Sequence, residues 1–398
     1  MNVEPTETAK NPGRRVPIVV GVVLAVLAVV AVGIWAFAAS PRPVKIATTA
    51  APAPVAPVAA SVPAHLPLPA EVRGVYVTAS TASSYKNYVA LIDSVKAKGV
   101  NAIVLDLKTE NGSLAFEPTT AALKAEAPTK IIIKDLDRIV AATHNDGLYL
   151  IARVPVFEDP AFAEKNPKIA LHLANGSLWH DAKGLSWLDP AATQAWKYNA
   201  DISREAYGRG FDEVQFDYVR FATDGKTSNI VFPVFDDKHE TMRGVIGRFF
   251  AYMDKELRGV GIRTSVDVFG FTTWHTTDLG IGQWYADALL HFDFVSPMVY
   301  PSHYPAGTLK FKNPADHPYE IVDDSLKKGN EVIVQLGADP AKPKVASQRP
   351  WLQAFNLGAV YTPDKILAQV KAARETGSAG FLFWNAGNNY SSLPNLRP

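Results

Sequence analysis

Residues 213–221 read EVQFDYVRF, a short β-rich run that follows the glycines 208 and 210 and leads into the polar stretch ATDGKTSN (222–229). Side chains alternate along a strand, so Val214, Phe216 and Tyr218 share one face and Gln215, Asp217 and Val219 the other. An unpaired charge facing a layer of helices is costly to bury, so Asp217 is expected to point toward a barrel interior.

Similar runs recur on either side. Upstream lie VRGVYVTAS (72–80), NAIVLDLK (101–108) and LYLIARVPVF (148–157); downstream lie RTSVDVFGF (263–271), FDFVSPMVYPSHY (292–304), RPWLQAF (349–355) and GFLFWNAG (380–387). Helical stretches are expected between them, near 84–98, 130–146, 190–208, 240–257, 280–290, 317–328 and 362–376. A long insertion at 158–188 carries His172, Trp179, His180 and Trp187. Apolar runs alternating with helices imply parallel strands covered on both faces. Eight such units over this length predict an α/β fold, a (β/α)8 TIM barrel. EVIVQLG (331–337) is left over, either the tail of the sixth helix or an extra strand. A doubly wound sheet is the alternative, but VTASTASS after the first strand is not a phosphate-binding glycine loop.

The chain has 398 residues, 47% hydrophobic and 20% charged, with a formal net charge of +1. That is the composition of a folded protein without a strong basic field, so no nucleic-acid partner is expected. With no cysteine, disulfides, thiolate metal sites and cysteine nucleophiles are excluded. No P-loop, HExxH or GxSxG pattern occurs, and His275 and His303 have no ligand spacing. No metal or cofactor is expected.

From Val16 to Ser40 the chain is apolar and uncharged, preceded by Lys10, Arg14 and Arg15. About 20 apolar residues can cross a bilayer, and upstream basic residues favour a cytoplasmic start. The expected organisation is a cytoplasmic tail (1–15), a transmembrane signal anchor (16–40), a Pro/Ala-rich linker (41–70) and the barrel (71–398). This would put the protein in the cell membrane as a single-pass protein, with its barrel outside the cytoplasm and the membrane as a partner. A cleaved signal peptide is the rival reading.

Barrel active sites lie at the C-terminal ends of the strands. Polar and aromatic residues gather there: Asp106 and Glu110 at or beyond the second strand, Arg153 on the third, Gln215, Asp217 and Arg220 on the fourth, Asp267 on the fifth. Met298 and Tyr300 belong to the sixth, Trp351 and Gln353 to the seventh, Trp384 and Asn385 to the eighth. Two acids ringed by Trp and Tyr suggest glycosidic-bond chemistry: one carboxyl protonates the leaving oxygen, and the other acts as nucleophile or base. Asp217 and Asp267 are the expected catalytic pair, and the other residues named here are expected to bind the sugar.

RGVYVT (73–78), NAIVLDLK with Glu110–Asn111–Gly112, FDEVQFDYVRF (211–221), FVSPMVYPSHY (294–304), RPWLQAF and GFLFWNAGNNY (380–390) resemble the putative glycosyl hydrolase domain family of exported bacterial proteins. The resemblance implies a carbohydrate-active TIM barrel without naming a substrate. There is a fainter similarity to chitinase-like glycoside hydrolases and their DxxDxDxE strand. Asp212, Gln215 and Asp217 stand at its three Asp positions, and Met298–Val299–Tyr300 and Trp384 also match. The position of that family's proton-donating Glu is Val219, so Asp267 or Glu110 would have to supply the proton.

The expected function is hydrolysis of a cell-wall or extracellular polysaccharide. The alternative is a non-catalytic carbohydrate-binding barrel that organises wall polymer.

Overall fold

The computed structural model describes residues 65–339 and 345–397. Nine parallel strands form one closed sheet. They are β1 (Val72–Val77), β2 (Ala102–Asp106), β3 (Tyr149–Pro155), β4 (Glu213–Asp217), β5 (Thr264–Phe269), β6 (Phe294–Met298), β7 (Ser347–Gln348), β8 (Trp351–Gln353) and β9 (Gly380–Trp384). β1 to β6 pair in sequence, β9 pairs with β1 and with β8, and β6 pairs with both β7 and β8. β7 and β8 are one stave interrupted at Arg349–Pro350, so the barrel has the expected eight staves. Proline cannot donate to the ladder, which accounts for the break.

The two-residue period of each strand divides the core. Val72, Tyr76, Ala102, Val104, Tyr149, Ile151, Trp351 and Leu382 fill the barrel interior. Their neighbours Val75, Val77, Ile103, Leu105, Leu150, Ala152, Val214, Phe216, Val266 and Leu352 pack against the helices. Closure between β1 and β9 depends on Gly380. Its φ is +104°, and a Cβ there would meet Val72 O at 2.0 Å.

The interior is layered along the axis. At the floor Glu213 forms a fully buried bidentate pair with Arg349 and also accepts from Ser265 Oγ (2.6 Å) and Tyr149 OH (3.2 Å). Below it Leu66 and Leu68 pack against the inner core. There Asp212 accepts from Leu66 N (2.7 Å), Leu150 N (2.8 Å) and His144 Nε2 (3.1 Å). Among the described residues this end of the barrel axis is filled, and the mouth is left for a site.

One open alternative is decided and two expectations change. EVIVQLG is helical, the end of the twenty-residue helix Pro318–Gly337. β4 stops at Asp217, because Tyr218 takes a φ of +54° and its N–H turns back to Asp217 Oδ1 at 2.6 Å. Among the described residues no helix is long and apolar enough to cross a membrane. The longest, Pro318–Gly337, carries Glu320, Asp323, Asp324, Lys327, Lys328 and Glu331. The stretch 16–40 lies outside the described residues. The expected transmembrane helix, the membrane partner and the single-pass localisation are thus corrected: no described element provides them, and they are not carried forward.

Candidate active site

At the C-terminal mouth the inward positions of β3, β4 and β5 continue as Arg153, Asp217 and Asp267. These line a cavity of about 370 Å3 with Tyr218, Arg220, Phe269, Met298, Tyr300, His303, Trp351 and Trp384, among others. β4 and β5 pair Gln215 with Ser265 and Phe216 with Val266. The same register carried one step further sets Asp217 beside Asp267.

The two acids sit in opposite environments. Asp217 is ion-paired with Arg153, whose Nη2 and Nε reach Asp217 Oδ2 at 2.5 and 3.1 Å. Asp267 has no ion pair among the described residues. Only 1% of it is exposed, and Trp351 Nε1 donates to its Oδ1 at 2.7 Å. Burial, reinforced by the charge of Asp217, pushes Asp267 well above the usual carboxylate range. One carboxyl is thus shifted toward its protonated form, beside one held against a fixed cation.

Arg153 is fixed from three sides. Its Nη1 donates to Asp106 Oδ1 at 2.6 Å, and its guanidinium lies 5.0 Å from the ring centre of Trp384 and 5.4 Å from that of Tyr76. Trp384 stacks on Tyr76 with ring centres 4.0 Å apart. Asp106, bonded also by the Tyr76 hydroxyl, lies behind Arg153 and does not line the cavity. Burial raises its pKa, with Arg153 the strongest opposing influence.

Of the other expected residues, Arg220, Met298, Tyr300, Trp351 and Trp384 face the cavity. Gln215 lies deeper, with Nε2 3.2 Å from Ser296 Oγ. Gln353 braces loops: its Oε1 accepts from Ser302 N and its Nε2 donates to Phe355 O. Asn385 donates to Ala354 O at 2.6 Å and Asn389 O at 2.9 Å. Glu110 is exposed and outside the cavity. Nor does the chitinase-like pattern lead to a proton donor, since Asp212 is at the floor and Val219 is in the outer core. Tyr218 lines the wall instead, an inversion of the alternation that its positive φ produces and that no residue pattern announces.

Phe269, Phe271 and Tyr304 also line the wall without having been singled out. Phe269 was legible, since it shares a face with Asp267. Glu158, just past β3, was also missed. Its backbone bridges to Trp187, and its Oε2 is 4.0 Å from Lys183 Nζ. Burial raises it to about 7. No group of three or more His, Cys, Asp or Glu side chains suited to a metal occurs among the described residues.

A closed parallel barrel with buried acids facing an aromatic cavity at its C-terminal mouth defines a glycoside-hydrolase-like enzyme barrel. The chain belongs to the family described as "putative glycosyl hydrolase domain", which matches residues 74–390. No curated protein matches the chain.

Among solved structures it is similar to the PgaB (BpsB) glycoside hydrolase domain from Bordetella bronchiseptica, with 13% identity and a TM-score of 0.56, over 80% of this chain and 95% of that one. It is also similar to the endo-1,4-beta-mannanase from Rhizomucor miehei, with 13% identity and a TM-score of 0.50, over 79% and 86%. A hypothetical protein from Ruminiclostridium thermocellum is 30% identical over 49% of this chain and 97% of its own, with a TM-score of 0.44. The first two likenesses concern the fold.

Proposed function

We propose that this protein hydrolyses O-glycosidic bonds in a cell-wall or extracellular polysaccharide, with Asp267 as the acid and Asp217 as the nucleophile or base. The reading rests on one observation: the buried Asp267, which forms no ion pair among the described residues, stands beside an Asp217 that Arg153 holds in one. Asp267 protonates the leaving oxygen while Asp217 meets the positive charge that develops on the sugar ring. Trp384, Tyr300 and Phe269 offer flat faces for the ring.

Neighbouring strands lie about 4.7–4.9 Å apart. A carboxyl separation of roughly 5–5.5 Å would favour retention and one of roughly 6.5–9.5 Å inversion, and neighbouring strands favour the shorter.

The binding-only reading draws on the depth of Asp267, which exposes 1% of its surface and already accepts from Trp351. The deciding experiment is reducing-sugar release from a panel of wall and extracellular polysaccharides by wild type and Asp217→Asn. Turnover by wild type alone supports hydrolysis. Equal activity rejects the role of Asp217. Saturable binding without release by either favours the binding barrel.

A further inference from the structure

Buried cations in this barrel have carboxylate partners. Lys108 Nζ is 2.7 Å from Asp159 Oδ2, Arg349 is paired with Glu213, and Arg153 is shared by Asp106 and Asp217. Arg220 differs. It lines the cavity, is 7% exposed and forms no ion pair among the described residues. Its Nη1 donates to Phe221 O (3.1 Å) and Thr223 Oγ1 (3.0 Å). Nε and Nη2 make no hydrogen bond to any described residue.

Those two nitrogens form one edge of the guanidinium, and elsewhere in this protein that edge holds carboxylates. Arg374 grips Glu71 through it at 2.7 and 3.0 Å, and Arg243 grips Asp287 at 2.7 and 2.8 Å. The Arg220 guanidinium carbon lies 5.0 and 5.4 Å from the ring centres of Phe269 and Tyr218 on the wall, and 4.8 Å from that of Trp187, which is buried behind it. Trp187 comes from the long insertion after β3 and is itself anchored, its Nε1 donating to Asp181 Oδ2 at 3.0 Å. Arginine stays charged even where burial opposes it. Glu158, Asp217 and Asp224 balance the charge of Arg220 only from a distance, and its two free nitrogens are open to the cavity, so a ligand carboxylate can add the direct charge-assisted pair that no described side chain makes.

We propose that Arg220 is a carboxylate receptor and that the glycan taken by this cavity carries a uronic acid at the subsite bounded by Tyr218 and Phe269. The proposal rests on the reading of the cavity as a sugar site. A planar carboxylate fits the two-nitrogen edge. A phosphate ester would bring about −1.5 to −2 charge against a single free cation, beside Asp217 and Glu158. Arg153 cannot assist, because its nitrogens are already on Asp106 and Asp217. His303, the remaining basic group on the wall, is held below the usual histidine value by burial and is neutral at pH 7.

The test is a calorimetric titration of the full chain with trisaccharides of glucuronate, galacturonate and mannuronate, each beside its methyl ester, and with a hexose phosphate. At least one acid should bind about 10–100-fold more tightly than its ester, the range of a charge-assisted hydrogen-bonded pair. Salt should erode that preference, Arg220→Gln should bring the acid to the affinity of its ester, and Arg220→Lys should keep part of the difference. Acids and esters bound alike by wild type would overturn the proposal, and that comparison needs no variant to fold. So would an equal loss of acid and ester in Arg220→Gln, or binding of the hexose phosphate alone. A uronate preference without cleavage would sink hydrolysis and keep this inference. Cleavage of neutral glycans without an acid preference would do the reverse.

Discussion

Replacing Arg153 by methionine keeps much of its length and removes its charge. Two buried carboxyls then lose their shared cation: Asp106 loses a 2.6 Å bond, and Asp217 loses bonds of 2.5 and 3.1 Å. Removing one member of a buried ion pair costs about 3–5 kcal/mol. Asp106 keeps the Tyr76 hydroxyl and Asp217 keeps Tyr218 N, so the lower end, about 3 kcal/mol at pH 8, is expected. Against a total stability of roughly 5–15 kcal/mol this is a large fraction. The loss should depend on pH. Burial already raises Asp106 in the fold, and Arg153 is what most opposes it, so the variant raises it further. A carboxyl whose folded pKa exceeds its unfolded one binds more protons when folded, and its contribution is lost as pH rises through the folded value. Arg153→Met should therefore lie closer to wild type at pH 5 than at pH 8. Adding Asp106→Asn should recover part of the loss at pH 8. Urea unfolding followed by tryptophan fluorescence reads both effects from the midpoint at constant slope. A loss below about 1 kcal/mol at pH 8, or an equal loss at both pH values, would refute the view that this cation holds the site together.

Asp267→Asn should lower kcat on an unactivated glycan by about 10²–10⁴-fold and far less on a nitrophenyl glycoside, whose leaving group needs no proton. It should also remove the alkaline limb of the pH profile, and equal losses on both substrates would count against an acid role. Glu158 titrates at about 7 in the fold against an ordinary 4.5, so burial favours its neutral form. The stability of wild type should fall relative to Glu158→Gln as pH rises from about 4.5 through 7, and then level off. Thermal melts at pH 4.5, 6 and 8 measure that gap, and a constant gap contradicts the burial of Glu158.

The eight staves were legible because each is a short apolar run between helical stretches, and the inner and outer faces follow from alternation alone. The ambiguity at 331–337 arose because VIV favours strands, while the helical pattern begun at Pro318 simply continues through it. Asp217, which alternation points inward, is on the cavity wall, as are Arg153, Asp267, Met298 and Trp384 from the strand ends. Gln353 and Asn385 also sit at strand ends, but their amides tie neighbouring loop carbonyls, and composition cannot separate those two uses. Tyr218 and Glu158 escaped for other reasons. One depends on a single backbone torsion, the other on a bridge to a residue 29 positions away.

Trp351 gives the buried acid a clamp that never titrates. An indole N–H can only donate, so it favours the aspartate anion and still tolerates the neutral acid through the same oxygen. The carboxyl can give up its proton and regain it without its support changing charge, which is what the proposed acid role asks of it.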